Sequence, residues 1–486
     1  MKPSLFQTDF KGKKVLVFGL GLLGGGVATT NWLLRQGAKV TVTDLKDKKT
    51  LMPSLKKIKG PSRFNLDEQK LGGHSEQDIK ENEVVVVNPD VSINNKYIQL
   101  AFNLGKQVEN EATIFLKNWQ KPVVAITGTR GKTTTVNWTN HFLKSKYKSS
   151  VAGNSYDNPF LKILDKQKSF EIAAVEIPSF ALEFFDKTVP SSDVAVITSI
   201  YQDHLNRHNT LKDYALTKAN IFKNQSSKQH LILNYDNDWT KFFLKQKPRS
   251  QVWFFSNKKL PLRFNGIYSQ KEAILFQKNG KAEVVLKVND FVKNWGGHNL
   301  YNLLASSLSA HLSGVSWREI ENKIADLPQV PFRQEIIFQS PKLKIINDTT
   351  ATSPDGAIAA LERFGSANTI LITGGTDRQL EYQAWSKVVK KKIKSKNLIF
   401  LSGSATDKML KAKGLRTKAT IFDTLKECFE AALEKAGKYS QSVILFSPAA
   451  KSFEKFKNEY DRGEQFNNLV GGLIKKERKI ESRQSG

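Results

Sequence analysis

The chain has 486 residues, of which 40% are hydrophobic and 25% charged, a composition that excludes global disorder and fibrous architecture. At roughly 100 to 200 residues per domain it predicts two to four domains. The single cysteine, Cys428, excludes an intrachain disulfide and a Cys-rich zinc module and agrees with a reducing compartment, so a cytoplasmic location is expected. A net charge of +29 would attract nucleic acid, anionic membrane or acidic small molecules without choosing among them. The basic residues are scattered, with runs at Lys387 to Lys396 and Lys475 to Lys479, and read as a solvated surface rather than a nucleic-acid site.

Lys11, Lys13 and Lys14 before the apolar run Val15 to Ala28 imitate a signal peptide. The glycines at 19, 21 and 24–26 suit a turn between strand and helix better, and no stretch approaches the ~20 apolar residues of a membrane span. Val15–Phe18, the glycines, Val27–Gln36 and Lys39–Thr43 read as strand, turn, helix and strand, the start of a doubly wound domain. Glu83–Val87 predicts a later buried strand that ends at Asn88-Pro89-Asp90. Residues 118–122 look like the entry to a second domain, whose first strand is Val123–Thr127. A third series follows Leu327-Pro328, with strands expected at Lys344–Ile346, Thr369–Thr373, Leu398–Leu401 and Ser442–Phe446; the tail after Lys475 reads as disordered.

Gly19-Leu-Gly21-Leu-Leu-Gly24 places a GxGxxG pattern between strand and helix, where backbone N–H groups can hold a diphosphate. Asp44 follows 20 residues after Gly24, the spacing at which an acid meets a ribose in a dinucleotide fold. Read locally, the pattern fits NAD, another nucleotide or a structural turn. Thr127-Gly128-Thr129-Arg130-Gly131-Lys132-Thr133-Thr134 is more specific: a glycine loop with Lys-Thr at the helix entry cradles ATP phosphates, with Lys132 reaching the terminal phosphates and Thr133 binding Mg²⁺. Ile126 stands where the general pattern has its first glycine. Glu176 and Asp203-His204 end apolar runs that read as strands, which is where a metal site near a phosphate loop draws its ligands. Taken alone, each is more often structural, and Lys218 reads as a surface lysine.

Together these residues resemble the Mur ligase family. The likeness continues through Ser179-Phe180, Glu183, Asp203-His-Leu-Asn-Arg207, Lys218 in a Tyr-x-x-x-Lys setting and Asn234-Tyr-Asp-Asn-Asp238. It then takes in Gly297-His-Asn-Leu-Tyr-Asn302, Phe332-Arg333, Asn347-Asp-Thr-Thr-Ala-Thr352, Gly374-Gly-Thr-Asp-Arg378 and Ser447-Pro-Ala-Ala-Lys-Ser452. The resemblance implies an α/β protein of three domains: a Rossmann-like UDP-binding domain at 1–110, a central P-loop ATPase domain at 111–329 and a Rossmann-like C-terminal domain at 330–486. The 347–352 and 447–458 motifs look like those of the D-glutamate-adding members, which implies UDP-N-acetylmuramoyl-L-alanine and D-glutamate as substrates. ATP and two Mg²⁺ ions would be the cofactors; a monomer without nucleic acid or membrane span is expected.

By the same resemblance Gly21, Leu22, Leu23 and Asp44 would hold the uridine diphosphate, replacing the NAD reading. Asn154 would contact the muramoyl group and Ser179 the substrate. Gly128 to Thr134, Asn299, Asn302, Arg333 and Asp348 would surround ATP, and Thr133, Glu176, His204 and a carbamylated Lys218 would hold metal. Thr352, Arg378 and Ser452 would face the D-glutamate carboxylates. The catalytic set would be Lys132, Glu176, His204 and Lys218. The chain departs from the usual pattern at Arg130, Ala181, Thr350, Arg378 and Glu459. Another Mur-like ligase, a polyglutamate-adding ligase and a nucleotide-regulated nucleic-acid-binding protein are the competing readings.

Overall fold

The computed structural model describes residues 8–22, 24–59, 64–65, 70–153, 158–202, 207–377, 379–412, 415 and 420–484. It forms two compact units, one of Met1–Asn289 with Tyr301–Leu327 and one of Asp290–Leu300 with Pro328–Gly486. Among the described residues no helix is long and apolar enough to cross a membrane.

The first unit holds two sheets. The smaller has five strands in the spatial order Phe64–Asn65, Lys39–Thr43, Lys14–Phe18, Val84–Val87, Gln107–Glu109, all parallel. Val84–Val87 is buried at every position, which explains why this strand is an unbroken valine run and not an alternating one. Chain order reverses between Lys14–Phe18 and Val84–Val87, and the glycine turn lies at that reversal, where doubly wound sheets bind ligands.

The larger sheet has nine strands. Val123–Thr127 runs between Val194–Ile197 and Ile172–Glu176, parallel to both, so three strand ends meet around the phosphate loop. Ile126 is fully buried and pairs with Glu176; the strand occupies the position where a longer loop would have its first glycine. At the far edge, Gly266–Gln270, Ala273–Lys278 and Lys281–Lys287 add two antiparallel pairings that the sequence reading did not anticipate. The last of these strands is mostly exposed, so its pattern carries little hydrophobic signal.

The expected boundary at 110 and 111 falls between strand Gln107–Glu109 and helix Glu111–Asn118. That helix opens with a capping box in which Asn110 and Thr113 exchange side-chain and backbone bonds, and Glu111 accepts a 2.5 Å bond from the Thr29 hydroxyl. One hydrophobic cluster runs from Val15 and Val17 of the first sheet and Leu33 of the helix Gly25–Arg35 to Val175 and Ala195 of the second sheet and Phe160 of the helix Phe160–Asp165. Within it, Lys117 lies 2.5 Å from Glu109, the two side chains 7% and 0% exposed. Gln107 and Thr113 also donate to that carboxylate.

The second unit contains a six-stranded sheet in the order Glu335–Gln339, Leu343–Asn347, Ser442–Phe446, Thr369–Gly374, Leu398–Leu401, Thr420–Phe422. Only the first pairing is antiparallel. Helices cover both faces, in one cluster around Leu361, Trp385 and Met409 and another around Phe429, Phe466 and Val470. The final helix runs from Glu459 to Gln484, correcting the disordered tail: Lys, Glu, Arg and Ile after Lys475 are tolerated in a helix, and no proline interrupts them.

Replacing Lys117 by Met leaves Glu109 buried without its cation, a loss of about 3–5 kcal/mol for such a pair. Calorimetry of Lys117→Met should show a transition lowered by roughly 5–10 °C, with part of the loss recovered when Glu109→Gln is added. An unchanged transition would show that the pair contributes no net stability.

Candidate nucleotide and ligation site

Two glycines shape the phosphate loop. Gly128 has φ +145° and Gly131 φ +82°; a Cβ on the first would lie 1.9 Å from Thr198 Oγ1, and on the second 2.3 Å from Asn302 Oδ1. The neighbours that crowd out side chains also hold the loop. Thr198 donates its hydroxyl to Arg130 O at 2.6 Å, Thr129 N donates to Ser199 O at 2.7 Å, and Arg130 N donates to Ser199 Oγ at 3.2 Å. Asn302 Oδ1 accepts from Thr135 Oγ1 at 3.3 Å.

Helix Lys132–Leu143 starts at Gly131, and the Lys132 ammonium folds back to within 3.3 Å of Thr129 O. Thr133 Oγ1 donates to Glu176 Oε2 at 2.8 Å, bringing together two oxygens that suit a hard divalent cation. Lys218 is 1% exposed, not the surface residue its local sequence suggests. Its Nζ donates to Thr127 Oγ1 at 3.2 Å and lies 4.6 Å over the Tyr214 ring. Thr134, in the first turn of the same helix, is half-buried. Asp203 and His204 lie outside the described residues, as do Leu23, Asn154 and Arg378.

In the first sheet, Gly19, Gly21 and Gly24 all have positive φ. Gly21 N donates to Asp44 Oδ2 at 2.8 Å and Lys46 N to Asp44 Oδ1 at 2.8 Å. The buried Asp44 therefore ties the glycine turn to the next strand end, while its remaining lone pairs can still accept from a ligand. Leu22, 47% exposed, stands out from the turn.

Sequence reasoning missed the support beneath these groups. Arg207 grips Glu183 through two bonds of 2.7 and 2.8 Å and donates to Pro89 O and Val91 O at 2.5 and 2.7 Å. It thereby fixes the loop beyond strand Val84–Val87 against helix Ser179–Leu182 and the residues after it. His208 Nε2 lies 3.3 Å from Ser179 Oγ; burial holds the imidazole pKa below its usual 6.5, against the opposing pull of Glu183. Asn237 accepts from Ile200 N and donates to Ile200 O, and Asn234 donates to Thr198 O, so the Asn234–Asp238 motif braces the strand end beside the phosphate loop.

In the second unit, Asp348 accepts from Gln334 N at 3.0 Å and from Ser447 Oγ at 2.7 Å. Burial pushes its pKa up to about 7 against these two hydrogen bonds and the nearby charges of Arg333 and Arg363. Arg333 is flanked by Phe332 and Gln334, both with positive φ, and Phe332 O accepts from the Thr350 hydroxyl at 2.7 Å. Such a backbone persists only where its surroundings over-determine it. Asn299 donates to Trp295 O at 2.8 Å. Thr352 is half-buried and Ser452 buried, on the loops after Leu343–Asn347 and Ser442–Phe446. The structure thus gathers Gly128 to Thr133, Glu176, Lys218 and Asn302 in one unit, and Arg333, Asp348, Thr352 and Ser452 at strand ends of the other.

A glycine turn at a sheet reversal and a phosphate loop on an interior strand of a second sheet define a nucleotide-binding α/β protein. Residues 13–110 match the Mur ligase MurD-like N-terminal domain, and residues 126–310 match the Mur ligase middle domain. The UDP-N-acetylmuramoylalanine–D-glutamate ligase of Roseiflexus sp. is 33% identical over 466 residues, 94% of this chain and 98% of that protein. The enzyme of the same name from Caldanaerobacter subterraneus is 34% identical over 470 residues, 96% and 99% of the two chains. Among solved structures, the MurF ligase of Thermotoga maritima in complex with ADP superposes with a TM-score of 0.57 at 17% identity, covering 98% of this chain and 100% of that one. The chain belongs to the Mur ligase family.

The Asp348 carboxyl gives a pH prediction. With a pKa of about 7 folded, against an ordinary 3.8, the folded state binds the proton more tightly. Its protonation contributes stability below about pH 4 that is lost as pH rises through 7, roughly 4 kcal/mol in all. Asp348→Asn should therefore flatten the fall in melting temperature of the second unit between pH 5 and 8. An identical slope in the variant would show that Asp348 does not titrate in that window.

Proposed function

We propose that the chain joins D-glutamate to UDP-N-acetylmuramoyl-L-alanine, converting ATP to ADP and phosphate through an acyl phosphate. The observation that carries this reading is the phosphate loop with Thr133 paired to Glu176, in a chain that aligns end to end with relatives bearing that activity in their names. In this reading the residue ranges 1–110, 111–329 and 330–486 are the UDP-substrate, ATP and amino-acid domains, and the reaction takes place in the cytoplasm.

A carboxylate does not react with an amine, because oxide is a poor leaving group. The alanyl carboxylate attacks the γ-phosphate, ADP leaves, and the carboxyl carbon gains phosphate as its leaving group. Backbone N–H groups from Gly128 to Thr134 and the Lys132 ammonium oppose the charge that builds on the transferring oxygens. The D-glutamate amine then adds to the acyl carbon, and phosphate departs from the tetrahedral intermediate as the amide forms.

Thr133 and Glu176, with His204 and a carbamylated Lys218, would hold the magnesium ions, which neutralise phosphate charge when bound. The hydroxyl and carboxylate oxygens 2.8 Å apart fit such an ion. Gly21, Leu22, Leu23 and Asp44 hold the uridine diphosphate, and Asn154 and Ser179 meet the sugar and its peptide. Asn299, Asn302, Arg333 and Asp348 surround the nucleotide, and Thr352, Arg378 and Ser452 take the D-glutamate carboxylates.

Phosphate release with ATP and UDP-N-acetylmuramoyl-L-alanine should depend on D-glutamate and be near background with L-glutamate, L-alanine or D-aspartate. Thr350, Arg378 and Glu459 depart from the usual pattern at the amino-acid end and favour, as a second reading, a ligase for another amino acid; turnover with a different member of the panel would establish it. For Lys218, CO₂ added to the neutral amine with loss of a proton gives an anionic oxygen ligand. Lys218→Ala should be nearly inactive and partly rescued by formate or acetate; full activity of the variant would remove the carbamate from the mechanism.

A further inference from the structure

Strands Leu343–Asn347 and Ser442–Phe446 are parallel neighbours, yet the helices that follow them pack on opposite faces of the sheet. Ala357 and Leu361 of Pro354–Phe364 belong to one core cluster, Phe466 and Val470 of Glu459–Gln484 to the other. A parallel sheet opens a crevice beyond its strand ends at such a reversal, and ligands bind there. The loops after these two strands, carrying Thr352 and Ser452, form the walls.

Arg462, in the first turn of the final helix, lies beneath that crevice with no exposed surface. Its Nε donates to Thr349 Oγ1 at 3.0 Å, Nη2 to Thr349 O at 2.8 Å and Ala450 O at 3.1 Å, and Nη1 to Lys451 O at 3.1 Å. The loop after Thr369–Gly374 closes over the same group: a Cβ on Gly375 would lie 3.4 Å from Nη1. One guanidinium thus touches three strand-end loops, and every acceptor it has among the described residues is neutral. Among the described residues Glu459 is the acid that raises its pKa, and burial still lowers that value to about 10, so the group is charged at neutral pH. Glu459 itself lies 3.7 Å from Lys451.

A buried cation with neutral partners is costly to desolvate, and a neutral amide could join the same carbonyls at lower cost. What the cation adds is a positive field beneath the crevice. A second observation points to a ligand. The Ser452 hydroxyl, one residue beyond Lys451, is in a residue 2% exposed and has no hydrogen-bond partner among the described residues.

We propose that Arg462 is a positioning residue for the incoming amino acid, its buried charge drawing carboxylates into this crevice while its hydrogen bonds set the loops that carry Thr352 and Ser452. The proposal rests on the reading of D-glutamate as the amino acid. Failure of that reading would be seen in the wild-type enzyme alone, and the comparison below then uses whichever acid supports turnover, with its amide analogue.

Arg462→Gln removes the charge; Arg462→Lys keeps it but loses the planar fork that spans several carbonyls. In Arg462→Gln the KM for D-glutamate should rise about tenfold or more while that for ATP changes less than about twofold, and the preference for D-glutamate over D-glutamine should shrink. Arg462→Lys should keep most of that preference. An unchanged KM for the amino acid, or an equal loss in both variants with the acid-over-amide preference intact, would overturn the proposal and leave Arg462 as a brace only. Should Arg462→Gln not fold, Glu459→Gln decides: removing the negative charge that opposes Arg462 should lower the KM for D-glutamate and widen its preference over D-glutamine, and unchanged constants would overturn the proposal.

Discussion

A loop that holds a phosphate must turn several backbone N–H groups toward one anion, and a side chain on its inner face would block them. Gly128 and Gly131 meet that constraint with left-handed backbone, and Thr198 and Asn302 occupy the space their side chains would need. The rest of the larger sheet is arranged around this turn. Val123–Thr127 needs parallel neighbours on both sides because one neighbour ends in Glu176, which receives the Thr133 hydroxyl, and the other in Thr198-Ser199, which clamps the loop from outside. Asn234 and Asn237 in turn fix the residues that follow Val194–Ile197.

The same logic of fixed backbone recurs in the second unit with different means. Arg333 has residues with positive φ on either side, held by Asp348, Thr350 and Glu335. Arg363 donates to Gln334 Oε1 and to Asn294 O, and its guanidinium lies over the rings of Trp295 and Phe364. Burial drives Asp348 toward its neutral form and weakens the hold of Arg363 on its proton, so two candidate-site neighbours are poised by desolvation. Cations thus do structural work by reaching carbonyls: Arg207 on Pro89 and Val91, Arg462 on Thr349, Ala450 and Lys451.

How much of this was legible in the sequence depends on whether the signal was local. The strand-turn-helix units at Val15–Thr43 and Val123–Leu143 declare themselves through apolar runs that end in glycine turns, and motif order carried the family. The bond from Gly21 N to Asp44 ties the glycine turn to the acid on which a local NAD reading rests, and nothing in that local pattern distinguishes one nucleotide from another. Arg207 pairs with Glu183 across 24 residues and with Val91 across 116, distances at which a single sequence holds no pairing signal. Lys218 reads locally as a surface residue because an isolated lysine is seldom buried, yet packing leaves it 1% exposed. The last of the antiparallel strands, Lys281–Lys287, carries no hydrophobic alternation, since its first four residues are exposed on both faces.

The ligation depends on the acyl phosphate, because phosphate on the carboxyl carbon gives the amine a leaving group to displace. Isotope transfer tests it directly. UDP-N-acetylmuramoyl-L-alanine with oxygen-18 in the alanyl carboxylate is turned over with ATP and D-glutamate, and the released phosphate is examined by mass spectrometry. If the carboxylate oxygen attacks phosphorus and leaves with it, each phosphate carries a labelled oxygen from the substrate. Phosphate released without the label, in step with amide formation, would contradict the account.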